Sequence, residues 1–152
     1  MALAAHEIIL RIDNSAFTTY ASATTAPDGA EITGAKDLTL SNSADILDTT
    51  AFSDGSFRTK LSGLKDASMS FSANFETGSA NGTVADLFSA LANATTKHFF
   101  MGLSGADAGA GNNAGFRATG IVESVEISGS VDGLVEASVS VQLTGAPTFL
   151  DT

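Results

Sequence analysis

Apolar and polar residues alternate with a period of two over several stretches of this chain, and follow helical spacing over one. The cleanest alternation covers residues 135–144. Val135, Ala137, Val139, Val141 and Leu143 fall on one face; Glu136, Ser138, Ser140, Gln142 and Thr144 fall on the other. Such a period places the first set on a core and the second in water. Asp132-Gly133 just before it reads as a two-residue hairpin turn with positive φ at both positions. Residues 120–145 are therefore predicted to fold back as two strands. The first strand has Ile121, Val125 and Ile127 on one face and Ser124, Glu126 and Ser128 on the other. Glu123 falls on the apolar side, which predicts a bulge or an exposed end.

The same pattern recurs upstream. Ile8, Leu10 and Ile12 alternate with Ile9 and Arg11 in a strand over residues 6–13, with apolar positions on both faces at Ile8 and Ile9. Residues 36–41 form a short strand with Leu38 and Leu40 inward. In residues 68–75, Met69, Phe71, Ala73 and Phe75 face inward while Ser68, Ser70, Ser72 and Asn74 face outward. Residues 97–103 read as a buried strand. Residues 83–94 are the one helix, with Thr83 as N-cap, Asp86 in the first turn, and a stripe of Val84, Leu87, Phe88 and Leu91. That stripe is core packing.

Between these elements, residues 14–34 and 104–115 are rich in Gly, Ser, Ala, Thr and Asn and read as loops. Residues 1–5 form an N-terminal arm and residues 145–152 a tail carrying Phe149 and Leu150. Residues 42–66 lack periodicity and read as a long irregular loop. It holds Asp45, Asp48 and Asp54, then Arg58, Lys60 and Lys65, with Phe52, Phe57 and Leu61 among them. A loop of that length needs a reason, and ordering against a partner on assembly is one.

Composition narrows the function. The chain has 152 residues, a length for one domain, with 15 Gly, two Pro, no Trp and ten Phe, which favours strands and turns. Seventeen acids against seven Lys and Arg give a net charge of −10, which disfavours binding to nucleic acid. With no Cys there is no disulfide, thiolate zinc site or thiol nucleophile. No signal-peptide pattern opens the chain and no apolar run reaches membrane-spanning length, so no membrane role is expected. His6 and His98 lie in separate strands without metal spacing. Residues 107–113 resemble a calcium loop but lack its ligand order. Glu126 and Glu136 approach each other across the hairpin, yet a carboxylate pair needs a cleft to be catalytic. No phosphate loop, nucleophile elbow or dinucleotide fingerprint is present. No enzyme and no cofactor are expected.

The order of strands, the single helix and the final long hairpin resemble a major tail tube protein of long-tailed bacteriophages. So do the run from Asp45-Ile46-Leu47-Asp48-Thr49-Thr50 through Gly63-Leu64-Lys65-Asp66 and the ending Thr144-Gly145-Ala146-Pro147. The resemblance implies a mainly β, antiparallel sandwich or barrel-like fold with one flanking helix, synthesised in the host cytoplasm and built into the virion tail tube. Six copies would form a ring, and rings would stack into a hollow tube ended by other tail proteins (tail tip and terminator). Ring closure would pair the open sheet edges. Ser68, Ser70, Ser72, Asn74, Ser124, Glu126, Ser128, Glu136, Ser138, Ser140 and Gln142 would line a base-free lumen through which DNA slides without specific binding. Asp45, Asp48, Phe52, Asp54, Phe57, Arg58, Lys60, Leu61, Lys65, Phe149 and Leu150 would contact neighbouring subunits or rings. The tube of a contractile injection system or of a phage-derived particle is a near variant. A non-viral β-sandwich binding module is the alternative of another class, and the single Tyr and missing Trp argue against a sugar-stacking face.

Overall fold

The computed structural model describes residues 8–13, 30–32, 34–53, 55–74, 84–103 and 115–150. His6, Thr83, Phe75, the N-terminal arm, residues 14–29 and the 107–113 loop lie outside them. The elements in order are β1 (Ile9–Asp13), β2 (Ala30–Glu31), β3 (Ala35–Asp48), β4 (Lys60–Asn74), α1 (Val84–Ala92), β5 (Thr96–Gly102), β6 (Gly115–Ser128), β7 (Glu136–Leu143) and β8 (Thr148–Leu150). All pairings are antiparallel, in one sheet of order β2-β1-β5-β6-β7-β4-β3, with β8 beside β6.

The sheet curls around a core of aliphatic residues, Met and Phe. Leu10, Ile12, Met69, Phe71, Phe99, Met101, Val122, Val139 and Val141 are buried in it, with Val84, Leu87 and Ala90 supplied by α1. The helix rests against β6. Its inner stripe is narrower than the sequence suggests: Ala90 is buried and Phe88 is exposed, because Val84 and Leu87 turn the buried line toward Ala90 and away from Phe88. The helix closes in a Schellman arrangement. The Thr95 amide donates to Ala90 O at 2.9 Å and the Ala94 amide to Leu91 O at 3.3 Å, with Ala94 in the left-handed region at φ 51°. In β1 Leu10 and Ile12 are buried on one face, while Ile9, Arg11 and Asp13 on the other are half-buried.

Three irregularities set which side chains point where. In β3, Asp37 adopts φ 53° and the register slips between Lys36 and Thr39, so residues 37 and 38 together oppose Phe71. Aspartate is among the few side chains that tolerate this region. In β6 the register slips between Val122 and Ser124, which puts the expected bulge at Glu123. Before the bulge Ala118, Gly120 and Val122 face the core and Ile121 faces out; after it Val125 takes the inner face. The sequence pattern had placed Ile121 inside, because a single phase was carried through the bulge. Gly120 sits where a Cβ would lie 2.7 Å from Val141 Cγ1 and 2.8 Å from Gln142 O, so β7 packs directly on its backbone.

Residues 42–66 do not form an irregular loop. β3 and β4 stay paired from Ala35–Ala73 out to Asp48–Lys60, with a third slip where Gly63 and Leu64 oppose Asp45. The segment beyond the sheet is a two-stranded ribbon, exposed on both faces. A ribbon wet on both sides shows no burial period, which is why the alternation was absent.

The hairpin turn also differs from expectation. β6 ends at Ser128 and β7 starts at Glu136, with those two residues paired, so the loop covers 129–135. The Gly133 amide donates to Ser130 O at 3.1 Å. Asp132 and Gly133 have negative φ. The turn is therefore centred on Val131-Asp132, with Gly133 at its last position, where glycine is favoured. The tail is likewise a strand: β8 pairs with β6, and the Phe149 ring meets Phe116 at a 4.8 Å centroid distance.

Candidate functional site

The registers of β3, β4, β7 and β6 bring the eleven residues singled out by alternation onto one face. Ser72 pairs with Ser138 and Ser138 with Glu126. Ser70 pairs with Ser140 and Ser140 with Ser124; Ser68 pairs with Gln142. Asn74, Glu136 and Ser128 form the row at the other end. The bulge in β3 extends these rows outward with residues the sequence reading missed: Lys36 beside Ser72, Thr39 beside Ser70, Ser41 beside Ser68, and Ser43 beside Asp66. The outward placement of Lys36 depends on the bulge at the left-handed Asp37, which no alternation count reveals.

This face is small, polar and hydrogen-bonded within itself. Gln142 Nε2 donates to Asp66 Oδ1 at 2.6 Å and to Ala67 O at 3.3 Å, tying β7 to β4. Ser72 Oγ donates to Asp37 Oδ2 at 3.1 Å. The face is not free of bases, as the sequence reading had it: Lys36 Nζ lies on it in an ion pair with Glu136. Glu126 and Glu136 are not opposite each other; Glu126 faces Ser138 and Glu136 faces Ser128. Asn74 is half-buried. Its side chain lies under Gly34, and its Oδ1 is buried with no hydrogen-bond partner among the described residues.

The four strands carrying this face have two bare edges. β3 is the last strand of the sheet. On the opposite side, β5 stops pairing with β6 at Ile121, so, among the described residues, 122–128 of β6 have β7 on one side only.

The ribbon extends from one end of this face. β4 pairs with β7 only from Ser68 onward, which leaves residues 60–67 as an arm of about 25 Å at the usual strand rise. Its tip is ordered. The Thr49 amide donates to Thr59 O at 3.0 Å, and the Thr59 amide to Thr50 Oγ1 at 3.1 Å. Thr50 donates its hydroxyl and its amide to Asp48 Oδ1, and these two bonds hold the Asp48 carboxyl below its ordinary value. Arg58 Nη1 stands 4.0 Å from Asp48 Oδ2. Of the residues expected to contact neighbours, Asp45, Asp48, Phe52, Phe57, Arg58, Lys60, Leu61 and Lys65 lie on this exposed arm. Asp54 is outside the described residues, as is the Leu150 side chain. Phe149 is half exposed on β8.

Catalytic geometry is not gathered anywhere among the described residues. His98 Nδ1 is engaged with Thr119 Oγ1 at 2.9 Å. No group of three or more His, Asp or Glu is placed to hold a metal among them, and no helix is long and apolar enough to cross a membrane.

A family model described as phage tail tube protein matches residues 4–149. The chain belongs to the phage tail tube protein family. No curated protein sequence matches it closely. Solved structures of the same fold include the tail of an empty GTA particle, refined with C6 symmetry, at TM-score 0.73 and 19% identity, covering 98% of this chain and 99% of that one. The SPP1 tail tube matches at TM-score 0.64 and 15% identity, over 99% of this chain and 80% of that one. An extracellular contractile injection system, in its PVC sheath-tube complex, matches at TM-score 0.63 and 11% identity, over 99% and 93%. This tail tube protein therefore has a fold found in phage, phage-derived and contractile tubes alike. The family is structural.

Proposed function

We propose that six copies of this tail tube protein close into a ring and that rings stack into a hollow tube whose bore is the β3-β4-β7-β6 face. The observation that carries this reading is the coincidence of one polar face with two bare edges on either side of it. Edge β3 of one subunit and residues 122–128 of β6 in the next complete each other's hydrogen bonding, which removes both edges. The same step carries Ser70, Ser138, Ser140, Ser124 and Glu126 to the inner wall. C6 symmetry in the GTA tail supports the ring number.

On a wall of hydroxyls and carboxylates whose lysine, Lys36, is already paired with Glu136, DNA finds little to neutralise its phosphates, so the duplex passes without holding. Bases on the wall would release counterions from DNA and act as a brake. Tail tip and terminator proteins cap the two ends. Particles carrying Ser70→Lys, Ser138→Lys or Ser140→Lys are expected to assemble normally but to deliver DNA more slowly, with the defect eased by raised salt. Normal delivery by all three would remove this face from the bore.

A further inference from the structure

Lys36 stands apart from the rest of the polar face. It is the one base in the rows built by β3, β4, β7 and β6, and it lies on β3, the last strand of the sheet. Its ammonium is in contact with the Glu136 carboxylate on β7, with β4 between them. A second carboxylate is held on the same side. Asp37 sits in the bulge at φ 53°, and its Oδ2 accepts the hydroxyl of Ser72, the β4 residue that pairs with Lys36. Lys36 and Asp37 are both exposed. The other acids of the face are farther off within the subunit. Glu126 ends the row Lys36, Ser72, Ser138, Glu126, about 14 Å away at the usual strand spacing. Asp66 is six residues along β4 from Ser72, about 20 Å at the usual strand rise. Both distances exceed the roughly 8 Å over which physiological salt screens a charge.

We infer that Glu136, with Asp37 beside it, masks Lys36 from DNA, so that free passage depends on these two carboxylates. This rests on the reading of the β3-β4-β7-β6 face as the wall of the bore. A lysine on an edge strand guards a free subunit against stray edge pairing, which gives this base a use before a ring closes. Once the face becomes a wall, the same base turns toward the duplex in every subunit. A phosphate drawn to a bare ammonium releases counterions and holds. With Glu136 in contact, a phosphate that approaches the ammonium also approaches a carboxylate, and attraction and repulsion largely cancel. The pair need not be strong to do this. At 40% and 43% exposure it adds little to stability, yet it cancels the charge wherever it forms. Ring closure also brings the neighbouring subunit's β6, with its Glu126, beside β3. The masking is assigned to Glu136 because that is the acid in contact.

Particles carrying Glu136→Gln with Asp37→Asn are expected to build tails of normal length, seen by electron microscopy. They are expected to eject DNA roughly tenfold more slowly at low salt, with the defect eased by raised salt. Asparagine tolerates the left-handed φ at position 37, so the bulge is kept. Adding Lys36→Met to the same chain is expected to restore the rate and remove its salt dependence. A purely structural role for Glu136 would not be rescued by deleting the lysine, so a slow variant that Lys36→Met leaves slow overturns the masking. Where the variant chain builds no tails alone, mosaic tails shared with wild-type chain carry the same comparison. Ser70→Lys, Ser138→Lys and Ser140→Lys particles separate the two readings. If any of these slows ejection while Glu136→Gln with Asp37→Asn leaves it unchanged, the masking is overturned and the bore assignment stands. If none of the variants slows it, the bore assignment itself falls.

Discussion

Lys36 and Glu136 form an ion pair over a strand that belongs to neither. Lys36 is on β3, Glu136 is on β7, and β4 runs between them. Both side chains remain about two-fifths exposed, at 40% and 43%, so the pair acts more on the charge pattern of the face than on its stability. It sets the one base of these rows against an acid and leaves the remaining polar face neutral or negative. Lys36→Met is expected to change unfolding free energy by less than ~1 kcal/mol in urea titrations. A larger loss would mean that the pair holds β3 in place.

Packing under that face is less forgiving. Met69 is buried between the sheet and its neighbours, and Met69→Ala is expected to cost ~2–5 kcal/mol. Gly120→Ala drives a methyl into Val141 and the Gln142 carbonyl, at an expected cost of ~1–3 kcal/mol. Denaturant midpoints of the two variants check both; a neutral Gly120→Ala would show that β6 and β7 can separate there.

The end of α1 offers a change in the other direction. Ala94 holds a left-handed φ of 51° to complete the Schellman bonds from Thr95 and to Leu91. Glycine adopts that conformation without the Cβ penalty. Ala94→Gly is expected to raise stability by ~0.5–1 kcal/mol, read as a higher melting temperature.

At the arm tip, the Thr50 hydroxyl and amide lower the Asp48 carboxyl from its ordinary 3.8. A carboxylate stabilised in the folded state supports that state above its unfolded value, and the support fades as pH falls through the lowered one. The Thr50 amide is therefore expected to stay protected at neutral pH and to lose protection only in acid below the usual aspartate range. Asp48→Ala removes the protection at every pH. Amide exchange of Thr50 by NMR across an acid titration measures both.

How much of this was legible in the sequence depended on burial. β7 and the last half of β4 alternate because Ala137, Val139, Val141, Met69, Phe71 and Ala73 are buried while their neighbours are wet. Joining the two alternations by register brings the eleven polar residues together. The ribbon of 42–66 was invisible because Ile46, Leu47 and Leu61 are exposed on both of its faces. Lys36 was missed because the bulge at Asp37 and Leu38 reverses the phase between it and Thr39. Ile121 was misplaced for the same reason, one residue pair before the bulge at Glu123. The turn was misread because Asp132-Gly133 carries a type I′ signature, whereas a seven-residue loop let Gly133 take the last position of another turn.

The most direct measurement is a cryo-EM reconstruction of tubes grown from the purified chain on isolated tail tips. The account predicts six subunits per ring, β3 joined to residues 122–128 of the neighbour's β6, and Ser70, Ser140 and Ser124 facing the bore. A chain that remains monomeric on those seeds, or a tube in which Ser70, Ser140 and Ser124 face away from the bore, would contradict it.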